Sequence, residues 1–490
     1  MSAAAASGGG GGSGGLGEVC LRSAREQRAL LVAGELTARE LLDAHLQRID
    51  AVNPAVNAIV TLAQERAYEL ADRADRALAT GAALGPLHGL PVVHKDLTET
   101  RGIRTTYGSP AFADFVPSFD SLVVQRLVAA GAVSLGKSNV PEWGTGSQTY
   151  NPVFGATRNP YDLGRTCGGS TGGGAVALAT GMAALADGSD IGGSLRNPAS
   201  FCNVVGLRPS VGRVPSWPAR AAYFTLVTAG PMARTVADAA LMLSVLAEPH
   251  PSSPFGAAVD AACFAGPLER DFTGVRVAWS ETLGGLPVES DVRAALAGLP
   301  GVLGDIGCAV QDADPDLRAA EEAFVTLRVW YYALALGELA RAVPEQLSEV
   351  NREEIERGRA LRGEDVGRAH VALTEVWERM RSFMATHEFL VTITSQVAPF
   401  DVDQPYPTAI AGVPMATYRD WMRSCTWISA TGLPAISVPA GFTETGLPVG
   451  AQIVGRAGDD LGVLALAHAI EAATGTGRRR PPGPLGTGRR

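Results

Sequence analysis

Two glycine-rich stretches hold the residues whose types and spacing are most suggestive of chemistry. The first runs from Cys167 to Gly174 and the second from Gly188 to Arg196. Glycine clusters adopt unusual backbone angles and let main-chain N–H groups point at a ligand. Such a loop can cradle a phosphate, or it can form an oxyanion hole beside a nucleophile. Close packing of a helix on a sheet is a third explanation that the glycines alone leave open.

Neither glycine-rich stretch has the residue spacing of a known phosphate-binding motif. A P-loop needs a lysine directly after its last glycine, and no lysine follows either stretch. Neither stretch contains the GxGxxG of a dinucleotide-binding turn. Serine is present in both stretches, as Ser170 and Ser194. A serine hydroxyl is a poor nucleophile until a base takes its proton, so a base is needed from another part of the chain.

A lysine at the end of an apolar run is the candidate base. The run Leu90–Val93 predicts a strand, and Lys95 follows at its end. Lysine seldom lies on the core face of a strand unless it is paired or functional, and the alternative is a side chain that points to solvent. Burial would lower the lysine pKa from ~10.4 towards neutrality. His88 and His94 flank the run, but a metal site needs more ligands, so a structural role is expected for both.

Taken together, these stretches resemble the amidase signature family of serine hydrolases. The match to the family's signature runs from Gly168 to Pro209, and the lysine motif lies upstream at the expected distance. The segments Pro434–Pro439 and Gly446–Gly450 are similar to the family's C-terminal strands. The resemblance covers most of residues 20–475. Three positions depart from the family pattern without removing a triad atom: Thr171, Ser189 and Ile393.

The resemblance implies a Ser–cis-Ser–Lys triad. Ser194 would be the nucleophile, Ser170 the bridging serine after a cis peptide bond, and Lys95 the general base. Ser170 would relay a proton between the other two groups and later protonate the leaving amine. Asp190 and Arg196 are expected to hold the shape of the loop rather than to touch the substrate. The oxyanion hole would be formed by the backbone N–H groups of Ile191, Gly192, Gly193 and Ser194.

The resemblance also indicates where a substrate would bind. It places Thr145, Gly146 and Ser147 beside the acyl group as substrate-binding residues, with Gln148 nearby. Aromatic side chains further along the chain either line the pocket or pack in the core, and the sequence leaves both open: Trp330, Tyr331, Tyr332 and Trp421. The substrate preference is therefore not fixed by the sequence.

The principal hypothesis is an amidase that hydrolyses the C–N bond of carboxamides, either aliphatic amides, aryl amides or anilides, through an acyl-enzyme. A carbamate (urethane) or ester hydrolase with the same triad is an alternative, because the same acyl-enzyme cycle applies. A second alternative is the component of a glutamine-dependent amidotransferase that releases ammonia from glutamine for a partner enzyme, and a non-catalytic ligand-binding relic is a third. The intact Lys95, Ser170 and Ser194 argue against the relic. No cofactor and no metal ion are expected, and the chain is expected to be a monomer or a homodimer.

Apolar runs of strand length alternate with helical periodicity around these motifs. Thr37 and Glu40 fit a capping box that opens a helix, which Asn53–Pro54 is expected to end. Further helices are predicted over 122–130 and 175–184, and strands over 90–93, 132–135, 389–391, 435–438 and 449–454. The alternation predicts an α/β fold. We expect one large domain with a mixed central β-sheet covered by helices on both faces, the amidase signature fold, with a helical insertion around 316–384.

The composition and the two ends of the chain limit which partners and which location are expected. The chain has 490 residues, 58 glycines and a net charge of −9, which argues against nucleic acid as a partner. Residues 1–19 are expected to form a disordered Gly/Ala tail, 20–475 the amidase signature domain, and 476–490 a basic flexible tail. The uncharged stretch 166–186 is interpreted as a buried loop and helix rather than a membrane span, so no membrane partner is expected. The six cysteines show no CxxC pair and indicate reduced thiols, so a cytoplasmic location is predicted.

Overall fold

An eleven-stranded β-sheet runs through the computed structural model, which describes residues 16–255 and 260–486. In chain order the described strands are β1 (Ile59–Leu62), β2 (Pro91–Lys95), β3 (Val133–Ser138), β4 (Tyr150–Asn151), β5 (Gly155–Ala156), β6 (Arg158–Asn159), β7 (Asp162–Thr166), β8 (Leu185–Asp190), β9 (Val205–Arg208), β10 (Thr228–Ala233), β11 (Arg276–Ser280), β12 (Ala309–Asp312), β13 (Phe389–Ile393), β14 (Ala409–Ile410), β15 (Val413–Pro414), β16 (Ala435–Phe442) and β17 (Pro448–Val454). The large sheet has the order β1-β3-β2-β8-β10-β9-β16-β17-β13-β11-β12. Because β2 pairs with β8 in parallel and β8 with β10 antiparallel, the predicted mixed sheet is confirmed.

Fifteen α-helices among the described residues surround this sheet. In chain order they are α1 (Leu16–Val19), α2 (Ala24–Val32), α3 (Ala38–Val56), α4 (Gln64–Ala79), α5 (Leu122–Ala129), α6 (Gly172–Ala179), α7 (Arg196–Phe201), α8 (Val236–Leu246), α9 (Ser290–Leu296), α10 (Leu299–Asp305), α11 (Ala320–Ala342), α12 (Glu349–Arg359), α13 (Gly363–Thr386), α14 (Arg423–Thr431) and α15 (Asp460–Thr474). The predicted helical insertion corresponds to α11, α12 and α13, and α11 packs on both of the other helices.

Both faces of the sheet are buried under helices. On β2, Val92 joins a core cluster that includes residues of α8 and α15, whereas its neighbour Val93 joins a second cluster with α3 and α6. On β13, Val391 belongs to the first cluster and Leu390 to a third one with α11 and α13. Successive residues of a strand point to opposite faces of a sheet. The predicted covering of both faces is therefore confirmed.

The helix α3 begins as predicted but ends later. The capping box at its start is present, since the Thr37 hydroxyl accepts from the Glu40 N–H at 3.1 Å. The helix then continues through Asn53–Pro54 to Val56. A proline in the last turn removes only one backbone donor, which costs little there. Asn57 ends the helix instead, with a left-handed φ of 52°.

The uncharged stretch 166–186 is divided among the end of β7, the short helix α6 and the start of β8. Helix α6 ends at Ala179 rather than at residue 184, because Gly181 adopts a φ of 74° and reverses the chain. All eight residues of α6 are buried within the protein. Within residues 16–255 and 260–486, no helix is long and apolar enough to cross a bilayer.

The described chain ends pack on the domain. Of the predicted N-terminal tail, residues 16–19 form α1, and residues 1–15 lie outside the described part. In the C-terminal segment, the Arg48 guanidinium donates to the carbonyls of Pro484 at 3.0 Å and Leu485 at 2.6 Å. Residues 476–486 therefore differ from the expected flexible tail, because their backbone carbonyls find buried donors on the domain. The last four residues, 487–490, are outside the described part as well.

Candidate active site

Lys95 is the last residue of β2, and its side chain points inward. It is 1% exposed, and its Nζ donates to Ser170 Oγ at 2.7 Å and to the Ser189 carbonyl at 3.2 Å. Burial lowers its pKa to about 7, although the carboxylates of Asp190 and Asp187 act in the opposite direction. A lysine with such a pKa is partly neutral near pH 7 and can accept a proton.

Ser170 lies in the glycine-rich loop just before α6. The peptide bond between Gly169 and Ser170 is cis, as the family resemblance implied. The N–H of Gly169 donates to Asn197 Oδ1 at 3.0 Å, and the N–H of Thr171 donates to the Ser194 carbonyl at 3.2 Å. Hydrogen bonds on both sides of Ser170 thus join its loop to the loop of Ser194. Both serines line the same pocket.

Asp190 organises the loop that carries Ser194. Its carboxylate accepts from the N–H of Gly193 at 2.8 Å and of Leu195 at 3.2 Å. The guanidinium of Arg196 makes two further bonds to it, each of 3.0 Å. Burial alone would raise the pKa of Asp190, but Arg196 and Arg208 hold it well below its usual range. The carboxylate therefore stays charged and fixes the loop, as expected for Asp190 and Arg196.

Gly193 turns the loop instead of offering its N–H to the pocket. That N–H is bonded to Asp190, which corrects the expectation that it would donate to an oxyanion. Gly193 has a φ of 114°, and a Cβ there would lie 2.6 Å from Cys425 Cβ, so only glycine fits. Three other predicted donors form no backbone or side-chain hydrogen bond through their N–H groups with the described residues: Ile191, Gly192 and Ser194.

The two serines open onto a narrow pocket with a volume of about 60 Å³. Its wall opposite the glycine-rich loops comes mainly from the helical insertion and the segment that leads into α14. The side chains of this wall are largely aromatic and apolar, with two arginines: Leu97, Trp143, Phe324, Arg328, Tyr332, Tyr418, Arg419 and Met422. An apolar acyl or aryl group fits such a lining.

The four aromatic residues singled out in the sequence have different surroundings. Tyr332 lines the pocket. Tyr331 stacks on Phe224, with ring centroids 4.3 Å apart. Trp330 also contacts that phenylalanine and does not line the pocket. Trp421 is completely buried against Phe201, with the rings 5.6 Å apart, and belongs to the core.

Of the predicted substrate-binding residues, only Gly146 lines the pocket, and its neighbour Gly144 does so as well. Thr145 is buried, and its hydroxyl donates to Asn351 Oδ1 of α12 at 2.5 Å. Ser147 is buried, and its hydroxyl has no hydrogen-bond partner within the described part of the chain. Thr145 thus attaches the insertion to this loop, which places it behind the pocket wall instead of on its surface.

The sequence analysis missed a charged cluster in the pocket wall. Arg328 of α11 donates to Glu354 of α12 at 2.6 Å and to the Tyr418 hydroxyl at 2.6 Å. Arg419 pairs with the second oxygen of Glu354. The Arg328 guanidinium also lies over the Tyr332 ring, 4.4 Å from its centroid. No sequence pattern links these residues, because three separate segments contribute them.

A second buried lysine lies on the strand next to β2. Lys137 of β3 donates to the Thr98 carbonyl and, at 3.2 Å, to Thr100 Oγ1. Burial lowers its pKa to about 8. A lysine inside an apolar run was the available sequence signal. His94 bonds to Asp187, as expected for a structural histidine, and no three His, Cys, Asp or Glu side chains in the described ranges are grouped as metal ligands would be.

The chain belongs to the Amidase family, the amidase signature enzymes, whose family profile matches residues 40–464. An acylamidase of Rhodococcus erythropolis is 36% identical over 471 residues, covering 94% of this chain and 98% of that protein. A glutamyl-tRNA(Gln) amidotransferase subunit of Synechococcus sp. (strain CC9902) is 35% identical over 481 residues, covering 94% and 97%. The structure of a bacterial aryl acylamidase is similar with a TM-score of 0.87 and 26% identity, over 93% of this chain and 97% of that one.

Family membership confirms the resemblance and the fold expected from the sequence. The chain is an amidase, a hydrolase that acts on carbon–nitrogen bonds. The eleven-stranded sheet with helices on both faces is the amidase signature fold.

Proposed function

We propose that this amidase hydrolyses carboxamides through an acyl-enzyme on Ser194. The observation that carries the proposal is the buried Lys95, with a pKa of about 7, bonded at 2.7 Å to Ser170 in the pocket that Ser194 shares. Neutral Lys95 accepts a proton from Ser170, which accepts one from Ser194. The Ser194 oxygen then attacks the carbonyl carbon, and the carbonyl oxygen becomes an oxyanion.

The same groups complete the reaction. The N–H groups of Ile191, Gly192 and Ser194 stabilise the oxyanion. In comparable enzymes the loss of one such donor lowers kcat by a factor of about 10²–10³. The protonated Lys95 returns its proton through Ser170 to the leaving nitrogen as the C–N bond breaks. Water then attacks the acyl-enzyme with the same relay and releases the carboxylic acid.

An aryl or apolar amide, such as an anilide, is the substrate class that the pocket favours. Trp143, Phe324 and Tyr332 give it aromatic walls, against which a flat ring can pack. The names of the acylamidase and the aryl acylamidase among the similar proteins agree with this class. An aryl carbamate is a second candidate, because its carbonyl carbon reaches the same acyl-enzyme and its ring meets the same walls.

Glutamine fits the pocket less well. Its ammonium group would need a carboxylate, but the charged side chains that line the pocket are Arg328 and Arg419. Glu354 behind them is already bonded to both arginines. The two arginines suit the carboxylate of glutamine, but no carboxylate among the described lining residues receives its ammonium group. The amidotransferase role is therefore disfavoured, although the Synechococcus amidotransferase subunit is similar in sequence.

A fluorophosphonate probe tests the nucleophile on the purified chain. We expect stoichiometric labelling of the wild type, no labelling of Ser194→Ala and much slower labelling of Lys95→Ala. Ser290→Ala, which removes an exposed hydroxyl far from the pocket lining, is the matched control and should label like the wild type. An unlabelled wild type, or a labelled Ser194→Ala, would exclude the mechanism.

A substrate panel tests the class of amide. Acetanilides, aliphatic amides, aryl carbamates, aryl esters and glutamine are compared by kcat/KM with the chain alone. We expect anilides and aryl carbamates to exceed glutamine. Turnover of glutamine that requires added partner proteins would instead support an amidotransferase component.

We also propose a cytoplasmic enzyme that works as a monomer or a homodimer. Free thiols at five cysteines agree with a reducing compartment: Cys167, Cys202, Cys263, Cys308 and Cys425. Light scattering of the purified chain distinguishes the two oligomeric states.

A further inference from the structure

A second cavity, with a volume of about 280 Å³, lies between the start of α2, the end of α15 and the C-terminal segment. It shares no lining residue with the active-site pocket. Three arginines line it: Arg234, Arg478 and Arg480. The mechanism proposed above uses none of them.

Arg234 carries a buried charge that lacks a paired anion. It is 3% exposed, and its guanidinium donates to the carbonyls of Ala183 at 2.7 Å and Leu178 at 3.2 Å. Its other terminal nitrogen donates to the Arg22 carbonyl, and no described carboxylate lies within ion-pair distance of it. Burial and the nearby charge of Arg480 lower the pKa of Arg234 to about 10. An unpaired buried charge is costly, so this site favours an anion.

Arg480 adds a second cation to the same cavity. It is half-buried and donates to the Leu21 carbonyl at 2.9 Å. Its charge lowers the pKa of Arg234, and an anion placed between the two guanidinium groups would offset this repulsion.

The two carboxylates of the cavity make their hydrogen bonds elsewhere, and Glu26 attracts Arg234 and Arg480 only at longer range. Glu26 accepts from the N–H and the hydroxyl of Ser23, both at 2.7 Å, as the acid of the capping box of α2. Glu471 accepts from the N–H of Val236 at 3.0 Å. Neither glutamate forms an ion pair with an arginine that lines the cavity in the described structure.

We propose that this cavity binds a small oxyanion, namely phosphate or the phosphate group of a small monoester, between Arg234 and Arg480. The planar guanidinium fork suits phosphate oxygens, and Arg234, Arg478 and Arg480 bring three such groups to one cavity. The Thr235 hydroxyl lines the cavity and can donate as well. The volume of about 280 Å³ lies just below the ~300–1,000 Å³ of typical ligand pockets, which favours a small ligand. Bound anion would link α2, the segment before α8 and the C-terminal segment, and so stabilise the fold.

Binding is tested on the full chain by calorimetry and thermal unfolding in sodium phosphate, with sodium chloride at equal ionic strength as the reference. We expect phosphate to raise Tm and Arg480→Gln to weaken binding at least about tenfold, as the loss of a charged hydrogen bond does. Arg479→Gln is the matched control, because that guanidinium stacks on Phe442 at 4.0 Å and does not line the cavity. It should bind phosphate like the wild type. Arg480 is chosen over Arg234 because it is not fully buried, so its replacement spares the core.

Glycerol phosphate and inorganic phosphate are titrated in parallel to distinguish the two sources of the ligand. Tighter binding of the ester identifies a monoester site, and equal or tighter binding of phosphate identifies a free-ion site; either result supports the proposal. Equal Tm values in phosphate and chloride, or equal affinities of the Arg480→Gln and Arg479→Gln chains, would overturn it. Amide turnover by Arg480→Gln should equal that of the wild type, so the result is independent of the proposed catalytic function.

Discussion

In the proposed mechanism Lys95 acts as a base only when its amine is neutral, so its pKa would set the pH range of activity. Burial lowers that pKa to about 7, and the neutral fraction therefore grows as pH rises through 7. We expect kcat/KM for a neutral anilide to increase about tenfold per pH unit well below pH 7 and to level off above about pH 8. Steady-state assays in overlapping buffers measure the profile.

Lys95→Arg is the control for this profile, because arginine keeps its proton at every pH tested. We expect it to lose a factor of at least about 10² in rate, the usual contribution of a general base. A wild-type rate that stays constant between about pH 6 and 9 would contradict a lysine base.

At the residue scale, the sequence identified groups whose local context is unusual. A lysine after an apolar run and serines among glycines singled out Lys95, Ser170 and Ser194, and the family resemblance gave them their expected roles. In the structure the two serines line one pocket and Lys95 bonds to Ser170. The N–H of Gly193 was assigned wrongly, because its bond to Asp190 depends on loop dihedral angles that composition does not encode.

At the element scale, α11 and the segment before α14 supply the arginines of the pocket wall, and α12 supplies the carboxylate behind them. Glu354 lies between Arg328 and Arg419, and all three side chains are buried. Replacing Glu354 by glutamine would leave two buried arginines without a counter-charge. We expect the free energy of unfolding to fall by about 3–5 kcal/mol, as it does when one partner of a buried pair is removed. Urea unfolding followed by circular dichroism measures it.

Glu356→Gln provides the matched comparison on the same helix. Glu356 is exposed and pairs with Arg359 on the surface, where an ion pair contributes about 0–1 kcal/mol. We expect its unfolding curve to be nearly that of the wild type. Equal destabilisation by the two substitutions would show that the buried cluster does not hold the insertion in place.

Elements with a strong local pattern were predicted, and arrangements between elements were not. The capping box placed the start of α3, and the apolar runs placed β2, β13, β16 and β17. Whether Trp421 lines the pocket or packs in the core depends on Phe201, which is far away in sequence. The Arg328–Glu354–Arg419 cluster is likewise assembled from distant segments.

At the scale of the whole molecule, the C-terminal segment belongs to the folded domain. Asn203 donates to the carbonyls of Thr476 and Arg479, both at 3.1 Å, and the Arg48 guanidinium bonds two further carbonyls of the segment. Truncation after Gly475 would leave these buried donors unsatisfied, which costs about 1–3 kcal/mol for each group. We expect a lower Tm in differential scanning fluorimetry.

Asn203→Ala in the full chain should reproduce part of this loss, because it removes two of the same hydrogen bonds without shortening the chain. An unchanged Tm after truncation would mean that the segment adds nothing to the stability of the domain. The basic composition of this segment suggested a solvated end, because sequence alone does not show which carbonyls a distant arginine will reach.

The two described ends of the chain therefore adjoin, since Arg480 reaches the Leu21 carbonyl at 2.9 Å. Adjoining ends allow a circular permutation, in which they are joined and the chain is opened elsewhere. New ends in the turn at 360–362, between α12 and α13, would leave every strand of the large sheet intact. In the permuted chain β13, β16 and β17 would leave the ribosome before β2 and β8. Strand β9, which follows the Ser194 loop and pairs with β16, would then be translated after that neighbour instead of before it.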